Sequence, residues 1–334
     1  MPASFIFGLE GRQLSPKEKA FFRDCDPWGY ILFDRNIETA NQLIALCNDL
    51  REISGRADTP ILIDQEGGRV QRLTPPLIDN HPPAAQYGKL YNQDKEKSIE
   101  AAMLGGFILA SALRRLGISV NCAPVLDIAF PNADPIIGNR AFSDKAEIIV
   151  TLATAFQKGM EQAGIASVIK HIPGHGRANA DSHLILPVIE EEQEVLEQTD
   201  FLPFHKLNNS PMAMTAHILY SSLDKDNPSS TSSKIIKKVI REHIGFSGLI
   251  MSDDIAMKAL QGSMGERAEK TLQAGCDIAL HCTGNLLEML EIANKTINLA
   301  DKSLMRAEQA SSLWLAEHHL ATQEDVEKWK KLLA

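Results

Sequence analysis

With 334 residues, 44% hydrophobic and 23% charged, the chain suits one large α/β barrel or two average domains and lacks the composition of a disordered protein. A net charge of −9 without any basic stripe excludes a nucleic-acid footprint and suits a neutral or weakly charged small molecule. Five scattered cysteines without metal-ligand spacing read as buried thiols; with no apolar run of membrane-span length and no basic leader, they point to a cytoplasmic protein, with no membrane partner and a monomer expected.

Short apolar, β-branched runs alternate with amphipathic stretches from end to end. In chain order, strands are predicted at Phe5–Leu9, Gly29–Phe33, Ile61–Asp64, Val120–Leu126, Ala166–His171, Met212–His217, Leu249–Asp253 and Asp277–His281. Between them, Thr39 to Ile53 carries leucine and isoleucine at helical spacing, and Ile99, Met103, Phe107, Ala110 and Leu113 do the same. Thr231-Ser232-Ser233 supplies N-cap residues for a helix through Ile235, Ile236, Val239, Ile240 and Ile244. About eight strand–helix repeats predict a (β/α)8 barrel of TIM type. We expect a single catalytic domain over residues 1–334, with 301–334 as extra helices packed on its outside. A doubly wound open sheet is the alternative. It lacks its glycine-rich phosphate loop, since Gly8-Leu9-Glu10-Gly11 is a weak echo of one.

In a parallel barrel the site lies where strands end, and the strand exits here are rich in ionisable groups. They include Asp64 through Arg69, Lys170-His171, His217 and Asp253-Asp254. The richest stretch is Lys170-His171-Ile172-Pro173-Gly174-His175-Gly176, followed by Asp181-Ser182-His183. Glycine and proline give it a fixed, non-repeating course, so its imidazoles sit on a shaped loop suited to proton transfer. Asp181 is placed to orient His183 and tune it as an acid and base. Of Asp253 and Asp254 only one can face the mouth, because neighbouring strand residues point to opposite sides; the other caps the next helix or binds a neighbouring loop. Asp64 with Arg69 and Arg72 reads as an acid–guanidinium pair for hydroxyl-rich ligands, with a purely structural salt bridge as good a reading for Arg69. Arg140 lies within reach of the mouth. His217 reads as a supporting strand-end histidine, Cys122 as core, Asp127 as a loop contact and Asp277 as structural.

Together these segments resemble glycoside hydrolase family 3, in particular single-domain bacterial β-N-acetylhexosaminidases of cell-wall recycling. The resemblance runs from Gly29-Tyr30-Ile31-Leu32-Phe33 to Ala274-Gly275-Cys276-Asp277. It rests on Ile63-Asp64-Gln65-Glu66-Gly67-Gly68-Arg69-Val70-Gln71-Arg72, on the Lys170–Gly176 run with Asp181-Ser182-His183, and on Ser252-Asp253-Asp254. It implies a retaining exo-β-N-acetylglucosaminidase without cofactor or metal, acting on N-acetylglucosamine linked to anhydro-muramic acid, with or without peptide. By the same resemblance Asp253 is the nucleophile, and His183 the acid and base with Asp181 as its partner. Asp64, Arg72, Arg140, Lys170 and His171 would then hold the sugar. The chain departs from the family pattern at Ile172, where phenylalanine is common, and at Asn139, where an acid often precedes the arginine. It also lacks the C-terminal sandwich domain of larger members.

Two other functions compete. A metal-dependent barrel hydrolase would draw on His171, His175, His183, His217 and Asp253, although the first strand offers no histidine pair. A non-catalytic sugar-binding barrel would be favoured only if Asp253 or His183 were missing. The loop from Gly174 to Leu186 is expected to move during turnover, admitting a sugar and closing over it.

Overall fold

A computed structural model describes residues 1–295 and 297–334. Eight parallel strands close into a barrel: β1 (Ala3–Gly8), β2 (Pro27–Leu32), β3 (Ile61–Ile63), β4 (Val120–Asn121), β5 (Ala166–Ile172), β6 (Met212–Thr215), β7 (Leu249–Asp254) and β8 (Ile278–His281). Each pairs with its sequence neighbours, and β1 closes the ring against β8 with Ile6 opposite Leu280. The strands are buried on both faces, which is why they read as continuous apolar runs. Ile6, Ile31, Leu62, Val120, Val168, Met214 and Met251 fill the interior, while Phe5, Phe7, Tyr30 and Ile63 belong to the core under the helices.

All eight predicted strands are present, but β4 is shorter than the predicted run to Leu126. After Asn121 the chain turns through Cys122-Ala123-Pro124, and only an isolated bridge joins Val125 to Lys170. Pro124 has no N–H to give to a ladder. The run is apolar because it is buried, not because it is extended. The helix Ala40–Ser54 starts at its Thr39 cap, and Lys95–Arg115 carries the predicted stripe. Ile235–His243 follows the predicted caps, with Ser232 Oγ accepting the N–H of Ile235 at 3.1 Å, but it winds as a π-helix. Its apolar residues recur every four to five positions, and the wider turn keeps that stripe against the barrel.

The C-terminal residues form two helices, Asp301–Leu315 and Gln323–Leu333. Ala307, Ala310 and Trp314 of the first join the cluster inside the barrel and close its amino-terminal end. The second packs on Lys95–Arg115.

Candidate active site

The carboxyl-terminal mouth opens on a cavity of about 390 Å³ lined by Asp64, Glu66, Arg72, Arg140, Lys170, His171, His183 and Asp253. The exits of β2, β3, β4, β5, β7 and β8 and their loops build it, as barrel geometry requires. Leaving β3, the chain makes a small hairpin, Gln65–Gly67 against Val70–Gln71. Alternation there sends Gln65 into the core, where its Oε1 accepts the N–H groups of Arg72 and Leu73, both at 2.9 Å. Asp64 and Glu66 therefore face the cavity together.

Those two acids meet a buried lysine. Lys170 Nζ donates to Asp64 Oδ1 at 2.8 Å and lies 2.7 Å from Glu66 Oε1. Arg140 grips Glu66 with two bonds, Nε to Oε2 at 2.9 Å and Nη2 to Oε1 at 2.8 Å. Arg72 Nη2 reaches Asp64 Oδ2 at 3.3 Å. Burial alone would raise both carboxyls, but Lys170 with Arg72 holds Asp64 below the ordinary value, and Lys170 with Arg140 holds Glu66 well below it. Burial would likewise lower Lys170, yet the two acids carry it above the usual lysine value. The result is a fixed fan of charges whose remaining donors and acceptors can face hydroxyl and amide groups.

Asp127 organises the next layer. It is buried, and it accepts the backbone N–H of His175 at 2.7 Å and lies 2.6 Å from His171 Nδ1. A carboxylate only accepts, so His171 carries its proton on Nδ1 and turns Nε2 toward Arg140 Nη2, 3.4 Å away. Burial would raise Asp127, but His171 holds it below its ordinary value. His175 is buried, pushed down to about 4 by burial and by His171, and pairs through Nε2 with Ser182 Oγ at 3.0 Å. That bond fastens the loop next to His183.

His183 stands on this loop with Nδ1 2.7 Å from Asp181 Oδ1, which also accepts the His183 backbone N–H at 2.9 Å. Its Nε2 has no partner among the described residues, and His183 lines the cavity. Asp181 stands behind, outside the lining. Burial would raise Asp181, but the His183 bonds hold it below its usual value.

At the end of β7 both Asp253 and Asp254 line the cavity, so the expectation that only one would face the mouth does not hold; their hydrogen bonding separates them instead. Asp253 lines the cavity and accepts one bond, from the Asp254 N–H to Oδ1 at 2.8 Å. Burial would raise it, but the neighbouring His171 and His217 hold it below its ordinary value. Asp254 Oδ1 accepts the N–H groups of Ala256 and Cys282 at 3.0 and 3.1 Å, and burial pushes it up. It binds loops and does not cap a helix. His217 is fully buried behind them, between Ser230 Oγ at 2.7 Å and the Asp254 carbonyl at 3.0 Å, outside the lining.

Residues 16–310 match the N-terminal domain of glycosyl hydrolase family 3. The chain belongs to this family. It is 39% identical over 295 residues to a beta-hexosaminidase of Methylococcus capsulatus, covering 86% of each chain, and 38% identical over 287 residues to one of Pasteurella multocida, covering 84% of this chain and 80% of that one. Among solved structures it resembles NagZ from Neisseria gonorrhoeae in complex with N-trifluoroacetyl-D-glucosamine, with a TM-score of 0.88 at 30% identity over 99% of this chain and 97% of that one.

Every predicted site residue except Asp181 lines the cavity of this family 3 barrel. Three residues read otherwise. Arg69 pairs with no acid among the described residues; its guanidinium donates to the carbonyls of Pro135, at 2.9 Å, and Ile136. Cys25 and Cys282, expected as buried thiols, are only partly buried, and Cys282 lines the mouth. Asp127 makes the expected loop contact, through the His175 N–H, and is also a buried anchor of His171. Two features were not anticipated. Glu66 lies in the same motif as Asp64, and the strand alternation that pairs the two is the signal for it in the sequence. Phe33 and Arg35 leave β2 at the mouth, where the strand-exit rule points; the Arg35 guanidinium lies 4.8 Å from the Phe33 ring centre and Arg72's 5.2 Å. The departure at Asn139 leaves Arg140 without a neighbouring acid, and Glu66 with the Ile136 carbonyl at 3.1 Å fixes it instead.

Proposed function

We propose that this glycoside hydrolase is a retaining exo-β-N-acetylglucosaminidase acting in the cytoplasm on peptidoglycan fragments, N-acetylglucosamine linked to anhydro-muramic acid with or without peptide. The observation that carries the chemistry is a half-buried Asp253, its carboxyl held below the ordinary value, in the same cavity as a histidine whose Nδ1 is committed to a carboxylate. In the first step an Asp253 oxygen bonds to the anomeric carbon as the glycosidic bond breaks, and His183 Nε2 gives its proton to the leaving oxygen. Asp181 stabilises the imidazolium before that transfer. In the second step His183 takes a proton from water as the water oxygen displaces Asp253. Asp64, Arg72, Arg140, Lys170 and His171 hold the hydroxyl and acetamido groups in place. The anionic fragment is supported by Arg35 and Arg69, which line the mouth and form no ion pair among the described residues. The five unpaired cysteines fit a reducing compartment.

Nitrophenol release from an aryl β-N-acetylglucosaminide, with chelator present, tests this reading. Wild type should be active, Asp253→Asn should lose about 10³-fold or more in kcat/KM, and Asp254→Asn should lose far less. Absence of wild-type activity, or activity abolished by chelator, would restore the binding or metal-dependent reading.

A further inference from the structure

The helix Gln323–Leu333 lies beyond the residues that match the family, yet it reaches the sugar site through packed contacts. Trp329, 3% exposed, forms a small cluster with Ile108 and Ala321. Its indole lies against the imidazole of His81, ring centres 4.7 Å apart. His81 is buried as well, burial pushes it down to about 4, and its Nδ1 has no hydrogen-bond partner among the described residues. Packing on Trp329 therefore holds the buried edge of this ring.

From His81 the backbone leads directly into the site. Its carbonyl accepts the Gly68 N–H at 2.8 Å, and its own N–H donates to Gln71 Oε1 at 3.0 Å. Gly67 and Gly68 have φ of 99° and 59°, and a Cβ on them would lie 2.3 Å from the Pro82 carbonyl oxygen and 2.6 Å from Pro83 Cβ. The hairpin between Glu66 and Arg72 thus rests on residues 81–83. Helix Ala84–Tyr91 continues from there and backs the Arg140 segment at Gly88, where a Cβ would lie 1.8 Å from the Phe142 carbonyl oxygen.

We infer that the C-terminal helix is a positioning element of the sugar site, in which Trp329 sets, through His81, the place of the hairpin that carries Glu66 and Arg72. The inference rests on the hexosaminidase reading above. It predicts a reciprocal effect: if the helix helps order the sugar site, bound sugar must help order the helix.

Hydrogen exchange of the whole protein with and without N-acetylglucosamine tests it. The sugar should slow exchange at residues 64–72, at 79–86 and at 324–333. In parallel, Trp329→Ala should raise KM for the aryl substrate about tenfold with a much smaller change in kcat, and Trp329→Phe should restore it. Slowing at 64–72 without any at 324–333 overturns the positioning role and leaves the hexosaminidase reading standing. So does a Trp329→Ala protein that melts earlier but keeps its KM. No slowing at 64–72 overturns the hexosaminidase reading and this role with it. Should Trp329→Ala not fold, the exchange comparison on the wild-type protein still decides.

Discussion

Adjacent acids differ here because their surroundings differ. Asp253 has two buried histidines for neighbours and a single hydrogen bond, whereas Asp254 is occupied by two backbone N–H groups. An asparagine at 254 keeps an oxygen for both of those bonds, so its cost should be about 1 kcal/mol of stability, with catalysis largely kept. His183→Ala should depend on the leaving group. A natural sugar leaving group, which needs the proton, should lose about 10²–10⁴-fold in kcat/KM, and an activated phenol much less. Equal losses on both substrates would argue against His183 as the acid. Glu66 permits a test in which stability and pH are linked. It is buried between Lys170 and Arg140 and held well below its ordinary value of 4.5, so its stabilisation is present above about pH 4.5 and is lost as pH falls through the lower folded value. Glu66→Gln leaves two buried cations short of a counter-charge and should cost about 3–5 kcal/mol at neutral pH. Urea unfolding of both proteins should show that gap shrinking below pH 4.5. A gap that does not change with pH would mean that the loss comes from packing and not from charge.

At the scale of elements, the loop from Gly174 to Leu186 is fixed at its root and open at its tip. Asp127 holds the His175 N–H, the Tyr220 hydroxyl donates to the Gly174 carbonyl, and Arg177 reaches Asp200 Oδ2 at 2.7 Å. Leu184 and Ile185, beside His183, are 60% and 58% exposed. The His175–Ser182 bond joins the two parts, and Ser182 is buried. Ser182→Ala would leave both ring nitrogens of His175 unpartnered and free the segment that carries the proposed acid, His183. We expect kcat to fall about tenfold or more while KM changes little, since the residues proposed to hold the sugar lie elsewhere. A KM increase with unchanged kcat would place Ser182 in binding. Sequence pattern resolved these elements unevenly. The run of glycine, proline and histidine announced a shaped loop, because each of those residue types constrains the chain locally. Nothing local distinguishes the extended residues of β4 from the buried coil of Cys122–Leu126, since burial selects the same apolar residues in both. The grip of Asp127 on His171 joins residues 44 positions apart, and no pattern within either segment encodes it.

The whole molecule separates stability from chemistry along the barrel axis, and this division explains what was readable. Strand exits at the mouth carry their ionisable groups in recognisable order, so Asp64, Lys170, His171 and Asp253 could be picked out once the eight repeats had been counted. The opposite end is held by long-range bonds that no repeat announces. Asp277, at the start of β8, accepts bonds through Oδ1 from Ser303 Oγ at 2.7 Å and Arg306 Nη1 at 2.9 Å. Its Oδ2 accepts bonds from Arg241 Nη2 at 2.7 Å and the Ile250 N–H at 2.8 Å. One buried carboxylate thereby ties the π-helix, β7 and the helix Asp301–Leu315 to the barrel floor. Asp277→Ala strips four donors of their acceptor, two of them guanidinium groups that keep partial access to water. That access moderates the penalty, which should be about 2–3 kcal/mol. The loss should appear as a lower urea midpoint with an unchanged slope, while the folded enzyme keeps its kcat/KM at 25 °C. The opposite pattern, an unchanged midpoint with falling kcat/KM, would show that the floor of the barrel reaches the mouth and that the two ends are not independent.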